Sequence, residues 1–405
     1  MRGTAQNPDI YFQTREAANL FYEKIPGIIK EYMAQIEKRT GRAYRFFQYY
    51  GAKNPKYVVI AMGSVCETIR EILPQMNCAD TDCDTGSSGM QDDIMKDNIG
   101  IYGMIQVHLF RPFSKKHLLA AMPKTVKKVA VLDRVKEIGS IGEPLYEDIC
   151  AAYINDKNRP EIFAGRYGLS SKDTTPAQIK AVYDNLLLDE PKNHFTIGIV
   201  DDVTNLSLPL GPALSCEPEG TISCKFWGLG SDGTVGANKN SIKIIGETTD
   251  MYCQAYFEYD TKKSFGITKS HLRFGKKPIS STYYVSHADF IACHNQTYLT
   301  KYDIISELKP HGSFLLNCQW TPEELAHHLD AASKRYIAEN NIQLYTIDAI
   351  DLAQKIGMGK RTNTILQSAF FSLAKVLPEE DAIKYMKEKA TQSYSKKGMD
   401  IVEMN

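Results

Sequence analysis

Gly228, Gly230 and Gly233 stand in a G-x-G-x-x-G register within Lys225-Phe226-Trp227-Gly228-Leu229-Gly230-Ser231-Asp232-Gly233-Thr234-Val235-Gly236-Ala237-Asn238-Lys239. Glycines at this spacing permit positive φ and let backbone N–H groups close around an anion where a helix begins. The chemistry they offer is phosphate binding, with the Ser231 and Thr234 hydroxyls as further donors and Lys239 as a counter-charge. Asp232 is out of place beside a phosphate unless it turns away, and capping of the next helix is its expected job. From these residues alone, a plain connecting turn is an equal reading.

Such a loop needs a strand before it and a helix after it. Thr221 to Phe226 is short, apolar and β-branched at its start, and Val235, Ile242 and Ile245 fall at helical spacing between Thr234 and Gly246. A dinucleotide site also wants an acid at the end of the next strand. Met251 to Tyr259 reads as that strand, with Glu258 and Asp260 at its end, somewhat beyond the usual spacing of about 20 residues.

Other chemistries find little support. There is no G-x-S-x-G, no H-E-x-x-H and no G-x4-G-K-S/T. His327 and His328 are neighbours on an expected surface helix and point in different directions, while His194, His287 and His294 are scattered. The nine cysteines lack the close spacing of an iron–sulfur site. Only Cys78 and Cys83 are near neighbours, without a second Cys/His pair at zinc spacing, so a loop is the favoured reading and a metal site the lesser one.

Composition points to a cytoplasmic globular chain, with 405 residues, 43% hydrophobic, and formal net charge zero. An odd cysteine count without a signal-peptide pattern at Met1 to Phe12 argues for a reducing compartment. No apolar run approaches the roughly 18 residues of a membrane span. Neutral charge gives no reason to expect nucleic acid. Lys124 to Lys128 and Lys384 to Lys397 read as solvated surface.

Strand and helix patterns alternate, the signature of an α/β protein with two domains of mostly parallel sheets flanked by helices. In the first, a long helix from Thr14 to Lys38 precedes strand Tyr57 to Met62, the turn Gly63-Ser64 and a helix through Leu73. Strand Met104 to Leu109, helix Ser114 to Met122 and strand Lys128 to Asp133 continue it, and strand Phe195 to Asp201 comes last. The Pro, Gly and Ser content of Leu206 to Gly220 sets a boundary near residue 205, giving domains 1–205 and 206–405. The second domain has expected strands at Thr221 to Phe226, Met251 to Phe257, Ser281 to Val285, Asp289 to Cys293, Ser313 to Asn317 and Gln343 to Ile347. Its best-marked helix is Pro322 to Asn340, where Thr321 and Glu324 form a capping box. Amphipathic helices at Arg361 to Val376 and Glu379 to Ser393 close the chain.

The string FWGLGSDGTVGANK, followed by SHLRFGKKPI at Ser270 to Ile279, closely resembles the pyruvate:ferredoxin (flavodoxin) oxidoreductase family. So do Gly3 to Gln13, Arg111-Pro112-Phe113, Gly142 to Tyr146, Gly165 to Lys172 and Lys192 to Thr196. The resemblance implies the central part of that enzyme, a domain like the C-terminal domain of transketolase followed by a gamma-subunit-like domain associated with coenzyme A. It places the coenzyme A phosphates over Gly228 to Gly236, with Ser231, Thr234 and Lys239, and makes His271, Arg273 and Lys276 candidates for a second positive wall. Thiamine diphosphate, Mg and [4Fe-4S] clusters are implied only for parts of the enzyme outside this chain. The implied partners are those parts, ferredoxin or flavodoxin, and a second copy in a homodimer. The sequence departs from the family at the polar stretch Cys78 to Asn98, at Phe265, and at Val135 and Ile138. A stand-alone coenzyme A or nucleotide-binding protein, or an inactive remnant, is the alternative.

Overall fold

The computed structural model describes residues 5–78, 100–261, 266–359, 361–395 and 398–404. The stretch after Cys78, with Cys83, and Phe265 therefore lie outside the described residues. The chain separates into one unit of Met1–Cys216 with Ser280–Tyr283, and another of Glu217–Ile279 with Tyr284–Asn405. The division falls after Cys216 rather than near residue 205.

In the first unit the β-branched run Val58-Val59-Ile60 is buried on both faces, as a central parallel strand requires. It forms β2 (Tyr57–Ala61) in a sheet with β1 (Phe47–Gly51), β3 (Tyr102–Val107), β4 (Lys128–Asp133), β5 (Glu161–Arg166) and β6 (Phe195–Thr196). The order is β1-β3-β2-β4-β5-β6, with only β1 antiparallel to its neighbour. Helices Val65–Cys78 and Pro176–Leu187 cover one face, while Lys115–Ala121 and Pro144–Tyr153 cover the other. Asp133 orients the last of these by accepting from the N–H groups of Leu145 and Tyr146, both at 3.0 Å.

Three expectations for this unit are corrected. The helix from Thr14 to Lys38 is three pieces, Pro8–Ala17, Asn19–Tyr22 and Ile25–Thr40. The strand expected to reach Asp201 stops at Thr196, because Asp201 closes a turn by accepting from Val203 N and Thr204 N. Ser281 and Thr282, expected to open a strand of the second domain, instead bond to Glu71 at 2.6 Å and Thr68 at 2.8 Å.

The second unit holds β7 (Ile222–Leu229), β8 (Tyr252–Tyr259), β9 (Ile267–Gly275), β10 (Ala288–Cys293), β11 (Leu308–Asn317) and β12 (Gln343–Ile347), in the order β12-β11-β10-β7-β9-β8. Strands β12, β11, β10 and β7 run parallel, whereas β9 and β8 are antiparallel to their neighbours. The strand after the glycine loop is therefore the outer half of a hairpin and not the next parallel strand of a dinucleotide fold. Ser270 to Gly275, which is not among the strands expected from sequence, lies in β9, with Ser270, His271 and Arg273 buried. Phe226, Leu272, Phe274 and Phe290 pack beneath helices Thr234–Thr248 and Asn363–Ala374 on one face. Trp227, Ile291, Phe314 and Leu316 pack with Leu325 and Leu329 on the other.

The capping box at Thr321 and Glu324 forms as expected, but its helix ends at His328. Leu329 is extended, and Asp330 starts a second helix, Ala331–Glu339, by accepting from Ser333 N. No helix of the described residues is long and apolar enough to cross a membrane.

Candidate functional site

Strand β7 delivers the glycine loop to the N-terminus of helix Thr234–Thr248. Gly228 has no room for a side chain, since a Cβ there would lie 2.6 Å from Thr234 Oγ1 and 2.8 Å from Thr234 Cβ. Gly233 has φ 90° and Ser231 φ 76°, so two left-handed residues flank Asp232. Such alternation turns successive N–H groups toward one concavity.

Asp232 clasps the loop. Its Oδ2 accepts from Leu229 N and its Oδ1 from Thr234 N, both at 2.7 Å, while Asp232 N donates to Leu229 O at 3.0 Å. Gly230 N donates to Gly266 O at 2.7 Å. The amides of Ser231, Gly233, Val235 and Gly236 have no hydrogen-bond partner among the described residues. The carboxylate thus uses N–H groups at the two ends of the loop and leaves those between and just beyond them available.

Thr234 is not an available donor. Its Oγ1 lies 2.7 Å from His294 Nδ1, and the residue is buried. His294 follows β10, and its own N–H donates to Trp227 O at 2.8 Å. Asn317 Nδ2 donates to His294 O at 3.1 Å and Asn317 Oδ1 accepts from Ala349 N at 3.0 Å, so the end of β11 braces the same point. Burial pushes the imidazole down to about 4, which keeps it neutral near pH 7. Sequence reasoning missed His294 as the anchor because the contact depends on β10 lying beside β7.

Beside the loop lies a cavity of about 460 Å³, with Gly230, Ser231 and Gly233 on one side and Tyr259, Asp260 and Thr268 on the other. Gly228, Thr268 and Tyr259 are register partners across β7, β9 and β8, so all three belong to the sheet face that carries the helix. Lys239 is exposed, with Nζ 5.2 Å from the centre of the Phe257 ring. Of the two acids expected near this strand end, Asp260 lines the cavity and Glu258 belongs to the opposite face.

Arg273 and Lys276 do not join the loop, which corrects the second positive wall. Arg273 pairs in register with Ser223, and Gly228 lies five positions farther along β7, roughly 16 Å away. Arg273 is 1% exposed, its Nε donating to Glu217 at 2.6 Å and its Nη1 to Gln254 at 3.2 Å. Ser223 Oγ bonds the same Glu217, and Lys309 pairs with Asp289 at 2.9 Å. These are structural ties at the start of the parallel strands. Lys276 lies beyond the end of β9 on that side and is exposed.

His271 is likewise internal, 2% exposed and stacked on Tyr284 at 4.5 Å. Its Nδ1 accepts from Val285 N at 3.2 Å, which fixes the neutral tautomer with the proton on Nε2, 3.6 Å from Glu258. Burial pushes His271 down to about 4, and the His271 ring and Lys269 hold the Glu258 carboxyl at about 2.

The eight described cysteines are all free, and no three His, Cys, Asp or Glu residues gather in a metal-holding group among the described residues. Burial raises Cys66 and Cys293 to about 12, so both remain thiols at neutral pH.

A family model described as pyruvate ferredoxin/flavodoxin oxidoreductase matches residues 223–405, and one described as pyruvate:ferredoxin oxidoreductase core domain II matches residues 92–179. The chain is 51% identical over 406 residues to the pyruvate-flavodoxin oxidoreductase of Enterobacter agglomerans, covering 100% of this chain and 33% of that protein. It is 50% identical over 404 residues to the pyruvate:ferredoxin oxidoreductase of Moorella thermoacetica, with the same coverage. Among solved structures it is similar to pyruvate oxidoreductase subunit PORC of Thermotoga maritima, at 15% identity and TM-score 0.35, covering 46% of this chain and 91% of that one. The chain thus spans about a third of the length of the curated relatives it matches. Two models of one family together match about two thirds of the chain, nearly all of the second unit and part of the first, and relatives at half identity align with the whole chain: it belongs to the pyruvate ferredoxin/flavodoxin oxidoreductase family.

Proposed function

We propose that the second unit is the coenzyme A-binding part of a pyruvate:ferredoxin or flavodoxin oxidoreductase, and that the first is a supporting domain like the C-terminal domain of transketolase. The complete enzyme converts pyruvate and coenzyme A to acetyl-coenzyme A and carbon dioxide and passes the electrons to ferredoxin or flavodoxin. Thiamine diphosphate supplies the carbanion chemistry and [4Fe-4S] clusters the electron path, both from parts of the enzyme beyond the residues described here. What these residues do is bind and orient the acyl acceptor. The observation that carries the reading is the set of four unpartnered amides, Ser231, Gly233, Val235 and Gly236, at the N-terminus of a 15-residue helix. Aligned peptide dipoles and unpaired N–H groups favour a phosphate there, and Lys239 on the second turn adds a mobile charge.

Asp260 in the cavity favours a second reading, a dinucleotide whose ribose hydroxyl would bond the carboxylate. The antiparallel β8 argues against it, since the acid does not come from the adjacent parallel strand. Isothermal calorimetry of the full 405-residue chain with coenzyme A and with NAD separates the two. Coenzyme A binding weakened by Lys239→Ala, with no heat from NAD, is the expected result. Binding of NAD alone, or of neither ligand by a folded chain, would overturn the proposal.

A further inference from the structure

The two sheets end in the edge strands β1, β6, β8 and β12. Strands β1 and β12 are five residues long, and β6 is two residues long and bridged by Ser207. Strand β8 runs for eight. Edges of that length normally carry a proline, a lysine or a bulge that discourages a further strand. Here the sequence is Tyr-Cys-Gln-Ala-Tyr-Phe-Glu-Tyr, and the register with β9 is unbroken from Tyr252 opposite Gly275 to Tyr259 opposite Thr268. Among the described residues β8 pairs with β9 alone.

The direction of the free backbone groups follows from the ladder. Gly230 N donates to Gly266 O at 2.7 Å, so the even-numbered residues of β9 bond to β7 and the odd-numbered ones to β8. Asp260 N donates to Ile267 O at 3.0 Å, in agreement, so the even-numbered residues of β8 face β9. Alternate residues of an antiparallel strand turn the other way. The N–H and C=O groups of Cys253, Ala255, Phe257 and Tyr259 therefore line the open edge, and none of these amides has a hydrogen-bond partner among the described residues.

The strand is also complementary to itself. When two copies run antiparallel about a two-fold axis at Tyr256, every outward N–H meets a carbonyl. On the face that carries helix Thr234–Thr248, Ala255 comes opposite Phe257 and Cys253 opposite Tyr259, small against large. On the other face Gln254 comes opposite Glu258, and Tyr252 opposite Asp260, so each carboxylate meets a donor and no like charges meet. Tyr256 meets its own copy at the close, non-bonded position, where aromatic pairs pack well.

We infer that β8 is a self-association edge, at which the second unit pairs with β8 of a second copy of this chain about a two-fold axis at Tyr256. The six-stranded sheet is then half of one continuous sheet shared by two copies. A contact of this kind is closed, so assembly at this edge stops at the dimer. It uses every outward amide of the strand, which is how a long edge without a guard avoids open-ended stacking. The pairing does not depend on what the glycine loop binds.

The test is sedimentation equilibrium of the full 405-residue chain from about 1 to about 100 μM, where wild type should pass from monomer to dimer. Ala255→Pro removes an outward N–H without touching the ladder to β9 and should be monomeric throughout. Gln254→Glu keeps an acceptor for Arg273 Nη1 but sets carboxylates against each other across the pairing, and should raise the dimer Kd at least about tenfold. Adding Glu258→Gln exchanges the two roles and should bring the Kd back to within about threefold of wild type. Under mild oxidation Tyr256→Cys should give a disulfide-linked dimer beyond the wild-type level, since non-bonded partners stand about 4.5 Å apart at Cα. If dichroism shows Ala255→Pro to be unfolded, the Gln254, Glu258 and Tyr256 variants decide. A wild type that is monomeric across the range overturns the pairing and leaves the edge to a strand from elsewhere in the enzyme. A dimer unaffected by Ala255→Pro and Gln254→Glu also overturns it, by placing the contact on another surface.

Discussion

His294 Nδ1 lies 2.7 Å from Thr234 Oγ1, so the first residue of the helix behind the glycine loop is tied to the end of the neighbouring parallel strand. The bond fixes where the loop amides point without using any of the four that have no partner. His294→Ala should therefore weaken coenzyme A about tenfold while sparing the fold, and His294→Asn, which can still bond the hydroxyl, should recover part of the loss. Calorimetry checks the affinities, and equal far-ultraviolet dichroism checks the fold.

His294 and His271 are both held neutral by burial, each pushed down to about 4 against about 6.5 in an unfolded chain. Between those values the unfolded chain binds more protons, so stability is complete above about pH 6.5 and is lost as pH falls toward 4. Glu258 on β8, Lys225 on β7 and Arg273 on β9 surround His271, and of these only the carboxylate opposes the shift. The urea midpoint should drop steadily from pH 7 to pH 5. In His271→Gln, whose amide oxygen can still accept from Val285 N–H, the pH 7 value should be lower and the slope shallower; an equally steep slope would show that these rings are not responsible.

Gly228→Ala would force a Cβ to within 2.6 Å of Thr234 Oγ1, and Gly233→Ala would hold a side chain at φ 90°. Each should cost about 1–3 kcal/mol, measured by thermal unfolding, and each should abolish coenzyme A binding because the loop must open. Gly236→Ala is the control. Nothing lies within 4 Å of a Cβ placed there, so stability should be retained.

Arg273 and Lys276 give opposite results if they lie where the register puts them. Arg273→Met leaves the buried Glu217 with only the Ser223 hydroxyl and the more distant Lys309 among the described residues, and should cost about 3 kcal/mol in urea denaturation. Lys276→Ala should change neither stability nor affinity. A marked loss of coenzyme A binding in Lys276→Ala would restore it to the site.

The parallel strands were the most legible part of the fold. Tyr57 to Ala61 and Gln343 to Ile347 announce themselves as short runs between turn signals, and the Thr321 and Glu324 capping box marks its helix start correctly. The hairpin was not legible, because β9 places Ser270, His271 and Arg273 inside the protein, where polarity reads as loop. Its burial depends on partners far away in sequence, Glu217 for Arg273 and Val285 for His271. The same limit governed the site. The loop glycines could be recognised from their spacing, but the roles of Thr234, His294 and Thr268 follow only from which strands lie side by side.

The Asp232 clasp has a kinetic consequence. Because its two bonds to Leu229 and Thr234 shape the loop in the absence of any ligand, capture requires no ordering step, and little conformational entropy is lost on binding. Stopped-flow traces should then be single exponentials whose rate climbs in proportion to ligand concentration and slows with added salt, as expected for an anion meeting a ready-made seat. Asp232→Ala would lose that readiness. Its rate should level off at high concentration, where the loop's own closure becomes the slow event.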